Sequence, residues 1–226
     1  MTATRTKAER VYELMRADIL AGRLQPGARL RYAELCERYV TSTGVLREAM
    51  LRLSEQGLVK GEPQQGFQVV DLSVDDLRDL TEARVILEAL ALRSAVAEGD
   101  IEWESRILAS HHRLSRTSQY DASDPDRLSD EWVAEHAEFH QALLDGCTNR
   151  RLKEIASSLR DTAELYRRWS LPLGNGADRD VSSEHDELLE AVLARDADRA
   201  VESLTNHITL TTNILLDTYA ATSTIP

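Results

Sequence analysis

The feature that most limits how this chain can fold is a change of residue pattern at residues 71–75. Before it, three helical segments precede two short apolar runs that flank a Pro/Gln/Gly turn. After it, helical periodicity recurs at roughly 74–98, 101–118, 125–146, 149–169, 181–195 and 198–219, with no strand pattern. The sequence therefore predicts a mainly α protein of two domains, residues 1–72 and 73–226, the second an all-α bundle of about six helices.

Bulk properties place the chain inside a cell. It has 226 residues and two cysteines, Cys36 and Cys147, without a CxxC pattern, which argues against a disulfide scaffold. The opening "MTATRTKAER" lacks the apolar core of a secretory signal. No apolar run approaches the ~20 residues that cross a bilayer. We therefore expect a cytoplasmic protein with no membrane partner.

The net charge of −12 hides an asymmetry between the two predicted domains. Residues 1–70 hold eleven Lys or Arg against eight Asp or Glu, a net charge of +3. The remainder holds sixteen basic and thirty-one acidic residues, a net charge of −15. A basic module joined to an acidic body leaves nucleic-acid binding open for the first domain alone.

The order of elements in residues 1–72 is that of a winged helix-turn-helix. Helices at 8–21, 31–39 and 42–57 are followed by a two-stranded wing at 58–71. In this plan the second helix of the pair enters the major groove, where arginine can bind guanine or a phosphate. A module that serves only for packing is the alternative. The residues expected to contact DNA are Arg31, Ser42, Thr43, Gly44, Arg47, Gln65 and Gly66.

Specific phrases in this domain resemble the DNA-binding domain of the GntR family of bacterial transcription regulators. They are "ILAGRLQPGARLRYAELCERY" and "STGVLREAMLRLSEQGLVKGEPQQGFQVV", which together cover about 65 residues. The chain departs from the family pattern at Thr43, where an arginine is common, and at Val45, where proline is usual. The usual Gly-Val dipeptide before the serine appears as Val40-Thr41. The resemblance implies DNA contact most directly for Ser42 and Arg47.

Four of the six histidines share one property, which is a place on an apolar helix face. In "HAEFH", His136 and His140 are four residues apart and lie on the same face as Phe139 and Leu143. By the same periodicity His185 and His207 also point inward. The other two histidines, His111 and His112, are interpreted as surface residues.

The spacing of His185 and His207 predicts that they face each other. Residue 196 lies midway between them, at the turn that joins the last two helices, so the two side chains should lie at the same height. A single inward histidine is usually a hydrogen-bonded core residue. Four converging imidazoles instead indicate a divalent metal, because the ion satisfies their buried lone pairs.

The body resembles the FCD domain, the C-terminal ligand-binding domain of the FadR subgroup of GntR regulators, in its shorter VanR-like form. The resemblance rests on the segments "LTEARVILEALALRSA", "HAEFHQALLDGCTN" and "EHDELLEAVLARDADRAVESLTNHI". Metal-dependent members use Asp-x-x-x-His and two later histidines, which correspond here to His140, His185 and His207. The family's aspartate is His136. An all-imidazole set favours zinc or nickel over manganese.

The same resemblance implies that a small carboxylate effector binds beside the metal. Arg84 matches the family's arginine near the cavity, although an ion pair with Glu88, one turn away, explains it equally well. Three further polar side chains are weaker candidates for lining the cavity, namely Arg167, Thr211 and Asn213.

The sequence as a whole predicts a homodimeric, ligand-responsive regulator that binds a palindromic operator and is not an enzyme. Two alternatives stay open. One is a metalloregulator that senses the metal itself. The other is a metal-dependent hydrolase with Glu135 or Glu138 as base, although helical spacing turns both carboxylates away from the histidine face.

Overall fold

The computed structural model describes residues 6–20, 22–62, 66–71, 73–170 and 179–222. The described residues form two compact units, one within Met1–Ser73 together with Asp161–Trp169, the other within Val74–Arg160 and Ser170–Pro226. Among the described residues the chain is mainly α, as the sequence predicts.

The first unit contains three helices and a small sheet. Its elements in order are α1 (Lys7–Leu20), β1 (Arg29–Leu30), α2 (Tyr32–Arg38), α3 (Thr43–Glu55), β2 (Val59–Glu62) and β3 (Gly66–Val69). The strands are antiparallel in the order β1-β3-β2, with Val59 opposite Val69 and Leu30 opposite Phe67. The short strand β1 was not predicted, because two residues are too few for an alternation pattern.

The core of this unit is built from one apolar stripe on each long helix. The largest side chains with less than 2% exposure are Met15, Ile19, Leu46, Met50, Leu53 and Leu58. Gly27, with φ +69°, makes the turn before β1, where an added Cβ would lie 2.2 Å from Oδ1 of Asp71. Leu165 joins the same core, so residues Asp161–Trp169 of the helix Arg150–Ser170 belong to this unit.

The second unit is a helical bundle. Its helices are α4 (Val74–Glu98), α5 (Ile101–Arg116), α6 (Asp130–Asp145), α7 (Arg150–Ser170), α8 (Val181–Leu193) and α9 (Ala197–Thr222). Residues Asp161–Trp169 of α7 belong to the first unit. Helix α4 packs on α9, α5 on α6, and α8 on α9. Trp103, Phe139 and Leu143 fill the core, and the Trp103 indole donates a hydrogen bond to the Ala142 carbonyl at 2.8 Å.

One detail of the predicted bundle is wrong. A hairpin of β4 (Tyr120–Asp121) and β5 (Asp124–Leu128) occupies residues that were assigned to the start of a helix at 125. Helix α6 begins instead at Asp130, where the Ser129 side chain accepts a hydrogen bond from the Trp132 amide. Serine is a strong N-cap residue, and its capping geometry fixes the start of the helix five residues later than periodicity suggests.

Candidate functional site

The structure brings the four inward histidines to one point in the second unit. His136 and His140 come from α6, His185 from α8 and His207 from α9. One ring nitrogen of each lies within 4.8 Å of the others. His140, His185 and His207 are buried, with 3–7% exposure, while His136 is half-buried. The ring centroids are separated by 4.5 Å for His136 and His140 and by 4.9 Å for His185 and His207.

Aromatic side chains form two walls of this cluster. Trp132 stacks on the His136 ring with 4.7 Å between centroids and an interplanar angle of 23°. Phe139 meets His140 and His185 edge-on at 5.5 and 5.3 Å. Such contacts restrict the imidazole rotamers and hold the ring nitrogens in place.

Two of these histidines, His140 and His207, are in an environment that favours the neutral form. The pKa of His140 lies well below its usual value, chiefly because burial disfavours the charged form. Positive neighbours lower it further: His207, His185, Arg160 and Arg84. The Nε2 atom of His140 is buried, and no described residue forms a hydrogen bond with it. A neutral imidazole with an unsatisfied inward lone pair is the form that ligates a metal.

A carboxylate outside the cluster orients one of its members. The Nδ1 atom of His207 lies 2.8 Å from Oε2 of Glu184. Burial would raise the pKa of Glu184, but hydrogen bonds from Arg179 and His207 hold it at about 2. The ionised carboxylate can only accept, so Nδ1 carries the proton and Nε2 keeps its lone pair.

Arg179 completes this outer layer. Its Nε donates to Glu184 at 2.6 Å, and one Nη also reaches the His207 carbonyl at 3.1 Å. Its other Nη donates to the Thr211 hydroxyl at 2.8 Å, and that hydroxyl donates to the His207 carbonyl. Thr211, a predicted effector residue, thus lies beside the cluster with a structural partner on each side.

The remaining predicted effector residues are spread over three places. Arg84 is paired through Nε with Oε1 of Glu88 at 2.8 Å and is close enough to lower the pKa of both His140 and His207. Asn213 is exposed and borders a cavity of about 370 Å³ that also adjoins Glu184 and His207. Arg167 belongs to the first unit, where it is buried and paired with Glu164 at 2.9 Å.

The predicted DNA-contacting residues of α3 share an exposed face. Ser42, Thr43, Gly44 and Arg47 are all exposed, whereas Leu46 and the rest of the inward stripe are buried. The Ser42 side chain forms no capping hydrogen bond with the helix it precedes. The start of α3 therefore presents donors and acceptors to the outside.

The other predicted DNA residues lie at the edges of the same unit. Arg31 is exposed and sits 3.3 Å from Glu34 in a surface ion pair. Gly66 opens strand β3 with φ +84°, a backbone conformation that glycine adopts without strain. Gln65 lies outside the described residues.

Comparison with known proteins accounts for both parts of the chain. Residues 7–69 match the model of the bacterial regulatory proteins of the gntR family. Residues 79–210, more than half of the chain, match the model of the FCD domain. The chain is a gntR-family regulator with an FCD domain. Regulators of this kind bind operator DNA through the first domain and small-molecule effectors through the second.

Two similar proteins extend the family match over nearly the full length. The regulator is 40% identical over 204 residues to the HTH-type transcriptional regulator BphR of Paraburkholderia xenovorans (strain LB400), covering 90% of this chain and 83% of BphR. It is 36% identical over 200 residues to the HTH-type transcriptional repressor GlaR of Escherichia coli (strain K12), covering 87% and 90%.

Two solved structures share the fold. McbR/YncC of E. coli aligns with a TM-score of 0.76 at 21% identity and covers 96% of this chain and 100% of its own. A GntR regulator from Rhodococcus sp. RHA1 aligns with a TM-score of 0.72 at 23% identity, and the alignment covers 94% of this chain and 99% of that one. Within the part of the regulator that the structure describes, no helix has the length and apolarity needed to cross a bilayer.

Sequence reasoning missed three residues around the regulator's histidine cluster and misplaced one histidine. Arg160, Arg179 and Glu184 carry no local pattern that marks them, because tertiary packing brings them to His140 and His207. His111 is not a surface residue, since its side chain is 14% exposed, packs against Phe139 and lies 3.0 Å from an Asp186 oxygen.

Proposed function

We propose that this regulator is a homodimer whose winged helix binds a palindromic operator and whose helical domain holds a divalent metal and a small carboxylate effector. The observation that carries the proposal is the convergence of four ring nitrogens within 4.8 Å in a buried place. We place the boundary between the two functional domains at residues 72 and 73.

The residues of the cluster fit a metal chemically. Four neutral imidazoles offer nitrogen donors, which zinc and nickel accept more readily than manganese does. The Nε2 atom of His140 supports this assignment, because it is buried and no described residue forms a hydrogen bond with it. An unsatisfied buried polar atom destabilises a fold by about 1–3 kcal/mol, and a bound ion would remove that cost. Glu184 adds the outer-layer carboxylate that commonly accompanies metal-bound histidines.

An effector that contacts the metal directly requires five or six coordination. A tetrahedral zinc would be saturated by four histidines, whereas a higher coordination number leaves positions for a carboxylate. The charge around the cluster also favours an anion. More arginines than glutamates lie near it, namely Arg84, Arg160 and Arg179 against Glu88 and Glu184. Neutral imidazole ligands would also leave the positive charge of the ion undiminished.

On the DNA side, we assign the groove contacts to the exposed start of α3, with Arg47 as the residue that binds a base or phosphate. Dimers of winged helices bind two half-sites, so a palindromic operator follows from two-fold symmetry. The effector would then act by favouring an arrangement of the dimer in which the half-site spacing no longer matches.

The hydrolase alternative is less favoured by the geometry. A metal-bound water needs a nearby base, but Glu135 is engaged by Arg113 Nε at 2.9 Å, and Glu138 is exposed. Neither carboxylate is therefore suited to act as the general base for a metal-bound water. We therefore propose binding without turnover.

The test combines native mass spectrometry, metal analysis and mobility shifts on DNA selected by the full chain from random fragments. We expect a dimer with one metal per chain and release of DNA on addition of a carboxylic acid. His140→Ala and His185→Ala should lose the metal, and His112→Ala, an exposed histidine, should keep it. Metal-free wild-type protein would refute the site. Release of DNA by metal alone would favour the metalloregulator instead.

A further inference from the structure

Glu88 on α4 has one carboxylate oxygen to which no residue in the described part of the chain donates a hydrogen bond. The residue is fully buried, with its side chain 1% exposed. Its Oε1 accepts a hydrogen bond from Arg84 Nε at 2.8 Å. Its Oε2 has no hydrogen-bond partner among the described residues, and Nη1 of Arg160 lies 4.0 Å away, beyond hydrogen-bonding distance.

A purely structural ion pair does not explain this arrangement. A buried charged pair is weak evidence for stability, because desolvation offsets most of the attraction. An unsatisfied carboxylate oxygen adds a further penalty, and native proteins satisfy most such atoms. A hydrogen-bond donor on a bound molecule would satisfy the Oε2 atom.

The position of Glu88 connects this oxygen to the histidine cluster. Arg160, whose Nη1 lies 4.0 Å from Oε2, donates from the same nitrogen to the His140 carbonyl at 2.9 Å. Glu88 is thus one side chain away from His140, whose Nε2 is also unpartnered. The His140 Nε2 and Glu88 Oε2 atoms differ in the partners that they can bind. The imidazole nitrogen can bind a metal, whereas a carboxylate oxygen accepts a hydrogen bond and repels a second carboxylate.

We propose that Glu88 determines effector specificity by accepting a hydrogen bond from a donor group, a hydroxyl or an ammonium, that the effector carries in addition to its carboxylate. This inference rests on the proposed carboxylate effector and narrows its class to hydroxy or amino acids. The effector's carboxylate is attracted by the metal and by Arg160, and its donor group satisfies Oε2. An acid without a donor leaves Oε2 unsatisfied beside a second negative charge.

The test is calorimetric titration of matched acids into zinc- or nickel-loaded wild-type protein. The pairs are lactate with propionate, malate with succinate, and 2-hydroxyglutarate with glutarate, while aspartate and glutamate form the ammonium arm. For the pair whose size fits, we expect the donor-bearing acid to bind at least roughly tenfold more tightly, as a hydrogen bond to a charged group predicts. Equal affinities within every pair would overturn the proposal.

The variant Glu88→Gln separates Glu88 from direct chelation of the hydroxyl by the metal. The amide can still accept from Arg84, but it presents a donor where Oε2 accepted, so the preference should fall to within twofold. Glu82→Gln, an exposed residue of the same helix, removes the same charge and should keep the preference. An unchanged preference in Glu88→Gln would assign the selection to the metal and refute the role of Glu88.

The outcomes also distinguish this inference from the function on which it rests. If acids bind and release DNA without regard to the donor, the proposed function stands and the role of Glu88 is refuted. If no acid of either kind binds the metal-loaded protein, the carboxylate effector itself is refuted, and this inference with it. Should Glu88→Gln fail to fold, equal affinities within the wild-type pairs would still refute the role of Glu88.

Discussion

The His207 imidazole is held against the Glu184 carboxylate by a 2.8 Å contact from Nδ1, and Arg179 binds the same carboxylate from the other side. This contact fixes the tautomer that leaves Nε2 for the cluster. Glu184→Gln keeps the size of the side chain but removes the charge that selects this tautomer. We expect the affinity for zinc or nickel to fall by about 10- to 100-fold, with helix content unchanged.

Competition with a chromophoric chelator measures that loss. Glu187→Gln serves as the control, because Glu187 lies one turn along the same helix and is exposed. Equal metal affinities for wild type and Glu184→Gln would show that the contact is structural only.

Arg47 is exposed on α3 and is expected to contact DNA. Arg47→Ala should weaken operator binding by about 1–3 kcal/mol if the arginine binds a guanine edge. Thermal unfolding should not change, because the side chain is outside the core. Mobility-shift titration at fixed salt measures the effect, with Arg78→Ala as an exposed arginine of the other unit. Unchanged operator affinity would remove Arg47 from the interface.

The histidine cluster shows what the sequence can predict and what it cannot. Periodicity places His136 and His140 on one face, and equal distance from the turn pairs His185 with His207, because helix geometry alone fixes both relationships. Arg160 and Glu184 depend on how α6, α7, α8 and α9 pack, so no spacing in the sequence marks them. The assignment of Arg167 to the first unit could not be predicted for the same reason, since packing decides which turns of its helix join that unit.

The hairpin before α6 illustrates a different limit. Its two strands have two and five residues, too few to show a clear alternation of apolar and polar residues beside the helical pattern that follows them. The boundary was set instead by the Ser129 cap, a local hydrogen bond that overrides periodicity.

Val40 occupies a left-handed backbone conformation that β-branched residues avoid. Its φ is +47°, and the residue is 81% exposed, so burial does not compensate for the strain. This conformation costs an L-residue about 1–2 kcal/mol, and asparagine tolerates it better. Val40→Asn should therefore stabilise the winged helix by about 1 kcal/mol. Urea unfolding of the full chain measures the change, and a lower midpoint in the variant would contradict the assigned strain.

Asp18 ties α1 to the end of α2. Its carboxylate accepts from the Tyr39 hydroxyl at 2.7 Å and pairs with Arg23 at 2.6 Å and Arg38 at 2.5 Å. Burial would raise the pKa of Asp18, but these partners lower it below the usual value. The stability that they contribute is therefore present above the unfolded pKa of about 4 and is lost as the pH falls through the lower folded value.

Asp18→Asn tests this dependence. The variant should be less stable than wild type at pH 7, by about 1–3 kcal/mol, because charged hydrogen bonds become neutral ones. The difference should shrink at pH 3 and below, where the wild-type carboxylate also becomes protonated. Denaturant unfolding at both pH values gives the comparison, and a difference independent of pH would assign the loss to packing.

The final prediction concerns His136, the half-buried member of the cluster, which stacks on Trp132. Four neutral imidazoles leave a divalent ion with its full charge of +2, whereas an aspartate in place of His136 reduces the site to +1. His136→Asp should therefore retain a metal, admit manganese more readily and bind a carboxylate effector more weakly. The comparison is a calorimetric titration of the same acid into wild type and His136→Asp, each loaded with the same metal. His136→Gln separates charge from shape, because it also replaces the ring with a short side chain but adds no negative charge. If the aspartate variant binds the acid as tightly as wild type does, the charge of the metal does not attract the effector, and recognition must depend on the surrounding arginines.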